Sequence, residues 1–261
     1  APYAPAMFVF GDSLADAGNN NFISGCTVRA NFTPYGISFF PRPTGRFTNG
    51  RTAFDFVATY LRLPFPPPFL ELGAKFSFGI NFASAGSGLL DSTGNSEVLY
   101  TAGARKFVLA DISAIGCTPY ARNFGYIAYG GKCVDLVNQL VVKYNIALRR
   151  LVDHLNQNLD GMSIVLLNSY DYIMNIIKHS ESYGFSEIKK ACCGSGRFNV
   201  EVACGKTTPP GQYCKDPNAY LFWDQVHPTQ KTCANIAHEM WIGNSSVMHP
   251  FNLFTLIFGS N

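Results

Sequence analysis

Phe8-Val9-Phe10-Gly11-Asp12-Ser13-Leu14-Ala15-Asp16-Ala17-Gly18-Asn19-Asn20 is the stretch around which the chain is organised. Met7 to Phe10 is an unbroken apolar run, the pattern of a strand buried on both faces of a parallel sheet. It stops at Gly11-Asp12-Ser13, so Ser13 is expected just beyond the strand's carboxyl end, where open α/β sheets place their ligands. That position makes Ser13 a candidate nucleophile, although Gly-Asp-Ser alone fits a turn or helix-cap serine equally well.

A serine nucleophile needs a base, a group that orients the base, and donors for the oxyanion that forms. Near the other end the chain reads Phe222-Trp223-Asp224-Gln225-Val226-His227-Pro228-Thr229. One short turn would bring the Asp224 carboxylate to the His227 imidazole and fix its tautomer. Pro228 restricts the backbone of His227 and suits a held loop residue. Taken separately the pair also reads as a surface turn; Ser13 and this pair together favour a catalytic reading.

Phe10-Gly11-Asp12-Ser13-Leu14, with Asp16 and Gly18-Asn19-Asn20, resembles the first signature block of the plant GDSL esterase/lipases, within the SGNH hydrolase superfamily. Asp224-x-x-His227 resembles their last block. Between them Pro34-Tyr35-Gly36, the run Pro43 to Arg51, Asn81-Phe82-Ala83-Ser84-Ala85-Gly86-Ser87-Gly88 and Ile115-Gly116-Cys117-Thr118-Pro119 are also similar to that family. The resemblance implies Ser13 as nucleophile, His227 as base and Asp224 as its orienting acid. It also implies the backbone N–H groups of Ser13 and Gly86 as oxyanion donors. A glycine after a strand suits that task, since no Cβ stands between its N–H and the substrate.

The length fits one large α/β domain over residues 1–261, and 47% hydrophobic residues can fill its core. A formal charge of +3, with the 20 basic residues scattered, offers no electrostatic case for nucleic acid or an anionic membrane. Eight cysteines without a Cys-x-x-Cys pair argue for an oxidising compartment and against zinc. Asn31-Phe32-Thr33 and Asn244-Ser245-Ser246 are glycosylation acceptors if the chain is secreted. No charged n-region followed by a long apolar stretch is visible, and Ala1-Pro2-Tyr3-Ala4-Pro5 reads as the trimmed start of a mature chain. The apolar tail from Leu253 to Phe258 is too short to span a bilayer, so a soluble protein is expected.

Along the chain, residues 19–51 read as a long irregular covering segment near the site. Phe54, Val57, Ala58 and Leu61 have helix spacing, and the proline run after Leu63 ends that helix as a rigid connector. Strands are expected over Phe76–Phe82, Arg105–Ile112 and Ser163–Leu167, and helices over Cys133–Leu159 and Asp171–His179, with Lys231–Trp241 as the last helix. The long helix should pack Val137, Leu140, Val141, Tyr144, Leu148, Leu151, Val152 and Leu155 on a sheet. His154 has no signature partner and reads as structural, as does His238, while His179 reads as solvated near a helix end. Cys192, Cys193, Cys204 and Cys214 lie in a loop too polar to bury a core, which disulfides would hold; a Cys117–Cys133 bridge would close the loop before the long helix, although eight cysteines allow about 105 connectivities.

The family pattern breaks after Asp91. The resemblance calls for another strand there, ending in Gly-x-Asn-Asp and supplying an asparagine as third oxyanion donor, yet no Gly-x-Asn-Asp occurs in the chain. Unpaired backbone and bare helix faces would follow from losing an interior strand, which favours a segment missing near 94–100 over a molecule truly shortened. A continuous, well-ordered backbone from Gly94 to Tyr100 would count against that. The expected fold is a flavodoxin-like three-layer α/β/α sandwich with a parallel sheet. The expected activity is hydrolysis of carboxylic esters through an acyl-serine, without cofactor or metal, by a secreted enzyme. A weak or inactive relative that binds acyl or glycan ligands is the alternative.

Overall fold

The computed structural model describes residues 1–88, 99, 103–206 and 211–259. In chain order the elements are β1 (Met7–Val9), α1 (Ala53–Tyr60), β2 (Gly79–Asn81), β3 (Lys106–Ala110), α2 (Pro119–Phe124), α3 (Tyr126–Tyr129), α4 (Asp135–Asn158), β4 (Ser163–Leu167), α5 (Ser169–Lys178), β5 (Glu187–Ala191), β6 (Tyr220–Phe222), α6 (Gln230–Ile242), β7 (Met248–His249) and α7 (Leu253–Phe258). They fall into two compact units, Ala1–Ser96 with Lys190–Ala237 and Glu97–Lys189 with His238–Asn261. Parallel strand pairs alternating with helices put the chain in the α/β class, as expected, and agree with an α/β/α fold.

The first unit is built on β1 and β2, which pair in parallel with Val9 opposite Asn81. Gly79 is required where β2 enters: its φ is +121°, and a Cβ there would stand 1.9 Å from the Met7 carbonyl oxygen. The two chains keep company beyond the strands, Phe82 N–H donating to Val9 C=O and Ser84 N–H to Gly11 C=O. The Gly11-Asp12-Ser13 turn and the Ala83–Gly88 turn therefore leave the same edge side by side. Val9 packs with Ala15 and Ala83. The expectation of burial on both faces is corrected: Phe8 is 58% and Phe10 45% exposed, with Phe10 stacked on Phe82 at 5.1 Å. An apolar run identifies a strand but not whether anything covers its second face.

Residues 19–51 are irregular apart from a 3-10 turn at Asn19–Asn21. Helix α1 follows because Thr52 and Asp55 form a capping box, each side chain accepting the other residue's backbone N–H. Asp55 also takes both arms of the Arg46 guanidinium at 2.8 Å, a buried pair that ties the irregular segment to the helix. The cysteine-rich loop is held by Cys192–Cys214 and Cys193–Cys204. The Cys192 and Cys193 N–H groups donate to the carbonyls of Phe222 and Trp223, which docks the loop on the end of β6.

In the second unit β3 and β4 are parallel, with Val108 opposite Val165, and β7 runs antiparallel to β4. Strand β4 has the expected bounds and is buried from Ile164 to Leu167. Helix α4 packs Val152 against Ile164 and Leu166, with Leu148 and Leu155 alongside. Its buried stripe is narrower than expected, since Leu140, Tyr144 and Leu151 are exposed and Asn138 is buried instead. Asn138 accepts the Gly116 N–H, and Cys117–Cys133 closes the loop before the helix as anticipated. Strand β3 is only partly buried, and α6 is not the last helix, because the tail forms α7 with Leu253 and Leu256 buried. Except for Leu99, the stretch at 94–100 lies outside the described residues.

Candidate active site

All the anticipated site residues fall in the first unit. Strand β6 delivers Trp223 to His227 as a tight loop: Trp223 N–H donates to His227 C=O at 2.8 Å, and Thr229 N–H to Leu221 C=O at 3.1 Å. Asp224 builds this loop from within. Its Oδ1 accepts the backbone N–H groups of Val226 (3.0 Å) and His227 (2.9 Å), an Asx turn that leaves the carboxylate facing the imidazole. His227 Nδ1 lies 2.8 Å from both carboxylate oxygens. The carboxylate that shapes the loop is thus the one that orients the ring.

With the Nδ1 proton directed at Asp224, His227 Nε2 is the acceptor for the Ser13 hydroxyl, 2.8 Å away. The structure brings Ser13, His227 and Asp224 into one hydrogen-bonded line. Asp224 and His227 are buried, whereas Ser13 is half-exposed and open to a ligand. Burial alone would raise the Asp224 pKa, but attraction to His227 and hydrogen bonds from His227, Tyr35 and Val226 outweigh it, so the carboxyl sits below the usual range. The Phe47 ring lies 5.0 Å from the imidazole and blocks one side of it from water.

The turn that carries Ser13 is fixed by Asp12, whose carbonyl accepts Ala15 and Asp16 N–H and whose Oδ1 accepts Leu14 N–H. In the facing turn Gly86 has φ +92°, a conformation strained for any side chain even though open space surrounds it. Among the described residues neither the Ser13 N–H nor the Gly86 N–H has a hydrogen-bond acceptor. Backbone amides without an acceptor among the described residues are the kind of donor an oxyanion needs.

Asp16, Asn19, Asn20 and Asn81 have no role legible in the sequence; the structure knots them between the two turns. Asp16 accepts the N–H groups of Gly18, Asn19 and Ala85. Asn19 donates to the carbonyls of Asn81 and Ala83, and Asn81 donates back to Ala15 C=O. Asn20 donates to Val28 and Ala85 C=O while accepting from Ser84 Oγ and Ala85 N–H. Burial pushes the Asp16 pKa up against the pull of those amides. Four polar residues buried in an apolar context were the available signal. The hydroxyl of Tyr35, donating to Asp224 Oδ2 at 2.7 Å, had no signal beyond its membership of Pro34-Tyr35-Gly36.

His154, His179 and His238 are exposed, the first two making local contacts to Asn158 and Asn175. Among the described residues no group of three or more His, Cys, Asp or Glu is placed to hold a metal, and no helix is long and apolar enough to cross a membrane.

A sequence model of the GDSL-like Lipase/Acylhydrolase family matches residues 7–100 and 93–240, two pieces that meet at 93–100. GDSL esterase/lipase 6 of Arabidopsis thaliana is 33% identical, covering 97% of this chain and 90% of its own. GDSL esterase/lipase 7 of the same plant is 32% identical over 98% and 92%, and a GDSL lipase of Tanacetum cinerariifolium 31% over 98% and 88%. The first of these alignments runs over 329 positions, whereas 97% of 261 residues is about 253, so about 76 positions face no residue of this chain. A match of this extent means that the chain belongs to the GDSL-like lipase/acylhydrolase family.

Proposed function

We propose that this protein hydrolyses carboxylic esters through an acyl-serine, with Ser13 as nucleophile, His227 as general base and acid, and Asp224 as the group that orients it. The observation that carries the proposal is the unbroken line from Ser13 Oγ through the imidazole to Asp224, each step 2.8 Å. Ser13 Oγ attacks the ester carbonyl as its proton passes to Nε2, and the imidazolium is held by Asp224. The Ser13 and Gly86 N–H groups receive the oxyanion. Collapse expels the alcohol, which takes the Nε2 proton. Water, deprotonated by the same nitrogen, then attacks the acyl-serine and releases the acid and Ser13.

One oxyanion donor is typically worth roughly 10²–10³ in turnover. A molecule truly without the Gly-x-Asn-Asp asparagine should turn over that much more slowly than family members that carry it, whereas one whose missing segment supplies it should not. The assembled line, and two amides without an acceptor among the described residues, favour an enzyme over a protein that only binds acyl or glycan ligands. Three disulfides among the described residues support secretion, and Asn31 and Asn244 are both exposed, as N-glycan acceptors must be. Residues 1–261 are read as one hydrolase domain, on the strength of a family match that runs through both units. A fluorophosphonate probe tests the chemistry: the wild type should label and Ser13→Ala should not. An unlabelled wild type, or a label that survives Ser13→Ala, refutes the assignment.

A further inference from the structure

We propose that Tyr35 is a positioning residue for this site, the outermost member of a line running Ser13, His227, Asp224, Tyr35. The inference rests on the ester-hydrolase reading and adds a group to it. Asp224 is surrounded by donors on every side: Val226 and His227 N–H reach Oδ1, the imidazole Nδ1 lies against both oxygens, and the Tyr35 hydroxyl donates to Oδ2 at 2.7 Å. Tyr35 is itself buried, and its ring packs edge-on against Phe32, Phe47 and Trp223. The phenol has one direction in which to point, and that direction is the carboxylate.

The same cluster contains Ala85, next to Gly86, and Cys192, Cys193 and Cys204 of the disulfide loop. Tyr35 is therefore anchored to the elements that carry the acid and the oxyanion amides. Burial first, and then the negative Asp224, push its pKa far up, so the phenol stays a protonated donor across the working range. A phenol differs here from a cation in one decisive respect. It fixes the carboxylate without neutralising the charge that the imidazolium needs during turnover. Among the described residues the only titratable side chains bonded to Asp224 are His227 and Tyr35, and the imidazole is its only ion-pair partner.

Tyr35→Phe removes the donor and keeps the ring. The carboxylate then turns more freely and concentrates its charge on the imidazole. Expected are a fall in kcat of about tenfold with KM within about twofold, the size of one charge-assisted hydrogen bond. The acid limb of the kcat/KM profile should move to higher pH, and the low-field proton resonance of His227 Nδ1–H should move downfield. In an Asp224→Asn background the same change should have no further effect on kcat. An unchanged acid limb and unchanged resonance in a Tyr35→Phe protein with native near-ultraviolet dichroism would overturn the proposal, as would full additivity with Asp224→Asn. If Tyr35→Phe does not fold, 3-fluorotyrosine at position 35 keeps the shape and strengthens the donor. The resonance should then move upfield, and no movement overturns the proposal. The resonance is read without turnover, so a wild type that fails to react with fluorophosphonate sinks the hydrolase assignment while Tyr35 is still tested.

Discussion

Asn20→Ala tests whether the polar knot positions the oxyanion turn or merely stabilises it. Asn20 is 2% exposed and uses its whole amide: Nδ2 donates to Val28 and Ala85 C=O at 2.9 Å each, and Oδ1 accepts Ser84 Oγ at 2.7 Å and Ala85 N–H at 3.1 Å. After truncation Ala85 N–H keeps its bond to Asp16 and the exposed Val28 C=O keeps the Cys26 thiol at 3.5 Å, but the Ala85 C=O and the Ser84 hydroxyl lose their partner. Each unsatisfied buried group costs about 1–3 kcal/mol. Water entering the space offsets part of this, so a net loss of ~3 kcal/mol is expected, within the ~5–15 kcal/mol that keeps a domain folded. In urea, with a slope of about 2–3 kcal/mol per molar, the midpoint should drop by roughly 1–1.5 M. Ala85 directly precedes Gly86, so its loosening should forfeit part of one donor's contribution. Turnover of a p-nitrophenyl acetate substrate should fall by about 10- to 100-fold at nearly constant KM. A lowered urea midpoint with wild-type kcat would refute the positioning argument, and an unchanged midpoint would refute the hydrogen bonds themselves.

Two further outcomes follow from the buried titrating groups. Asp224 has a folded pKa below its unfolded value, so it contributes stability that is fully present above the unfolded carboxylate range and lost as pH falls through the folded pKa. Asp224→Asn should therefore flatten the decline of the urea midpoint on the acid side of about pH 4, and an unaltered decline would contradict the assignment of that slope to Asp224. Of the two free thiols among the described residues, Cys233 is buried and pushed up to about 12 by burial and by Asp55, while Cys26 is partly exposed. A maleimide at neutral pH should label the native protein once, and Cys26→Ser should abolish the labelling; a second thiol reacting without denaturant would overturn this reading.

The parts legible in the sequence are those whose cause is local. Strand β4 was read to the residue because Ile164 to Leu167 is a buried apolar run bounded by a polar residue at each end. The Asp224–His227 contact was legible because three residues of spacing and a following proline leave a turn few alternatives. The exposure of Phe8, Phe10, Leu140 and Leu151 was not, because periodicity says which residues share a face and is silent on what lies against it. Nor could spacing disclose that Tyr35 meets Asp224 across 189 residues, or that Asn20 meets Ala85 across 65.

Those two long-range contacts also explain why the site needs so much irregular chain. The proposed nucleophile and oxyanion amide, on turns that follow adjacent strand ends, are set by the β1–β2 pairing, and Phe82 N–H to Val9 C=O already fixes their register. The proposed acid and base arrive from residue 224 onward and have no ladder bond to either strand, so their placement must come from other contacts. Tyr35 supplies it from one side through Asp224, and the disulfide loop supplies it from the other through Phe222 and Trp223. Reduction of Cys192–Cys214 and Cys193–Cys204 should therefore separate His227 from Ser13 before it disturbs the β1–β2 turns. Fluorophosphonate reactivity should be lost at reductant concentrations that leave the far-ultraviolet dichroism unchanged, and a fully reduced protein that still labels at the wild-type rate would show that the loop does not hold the base.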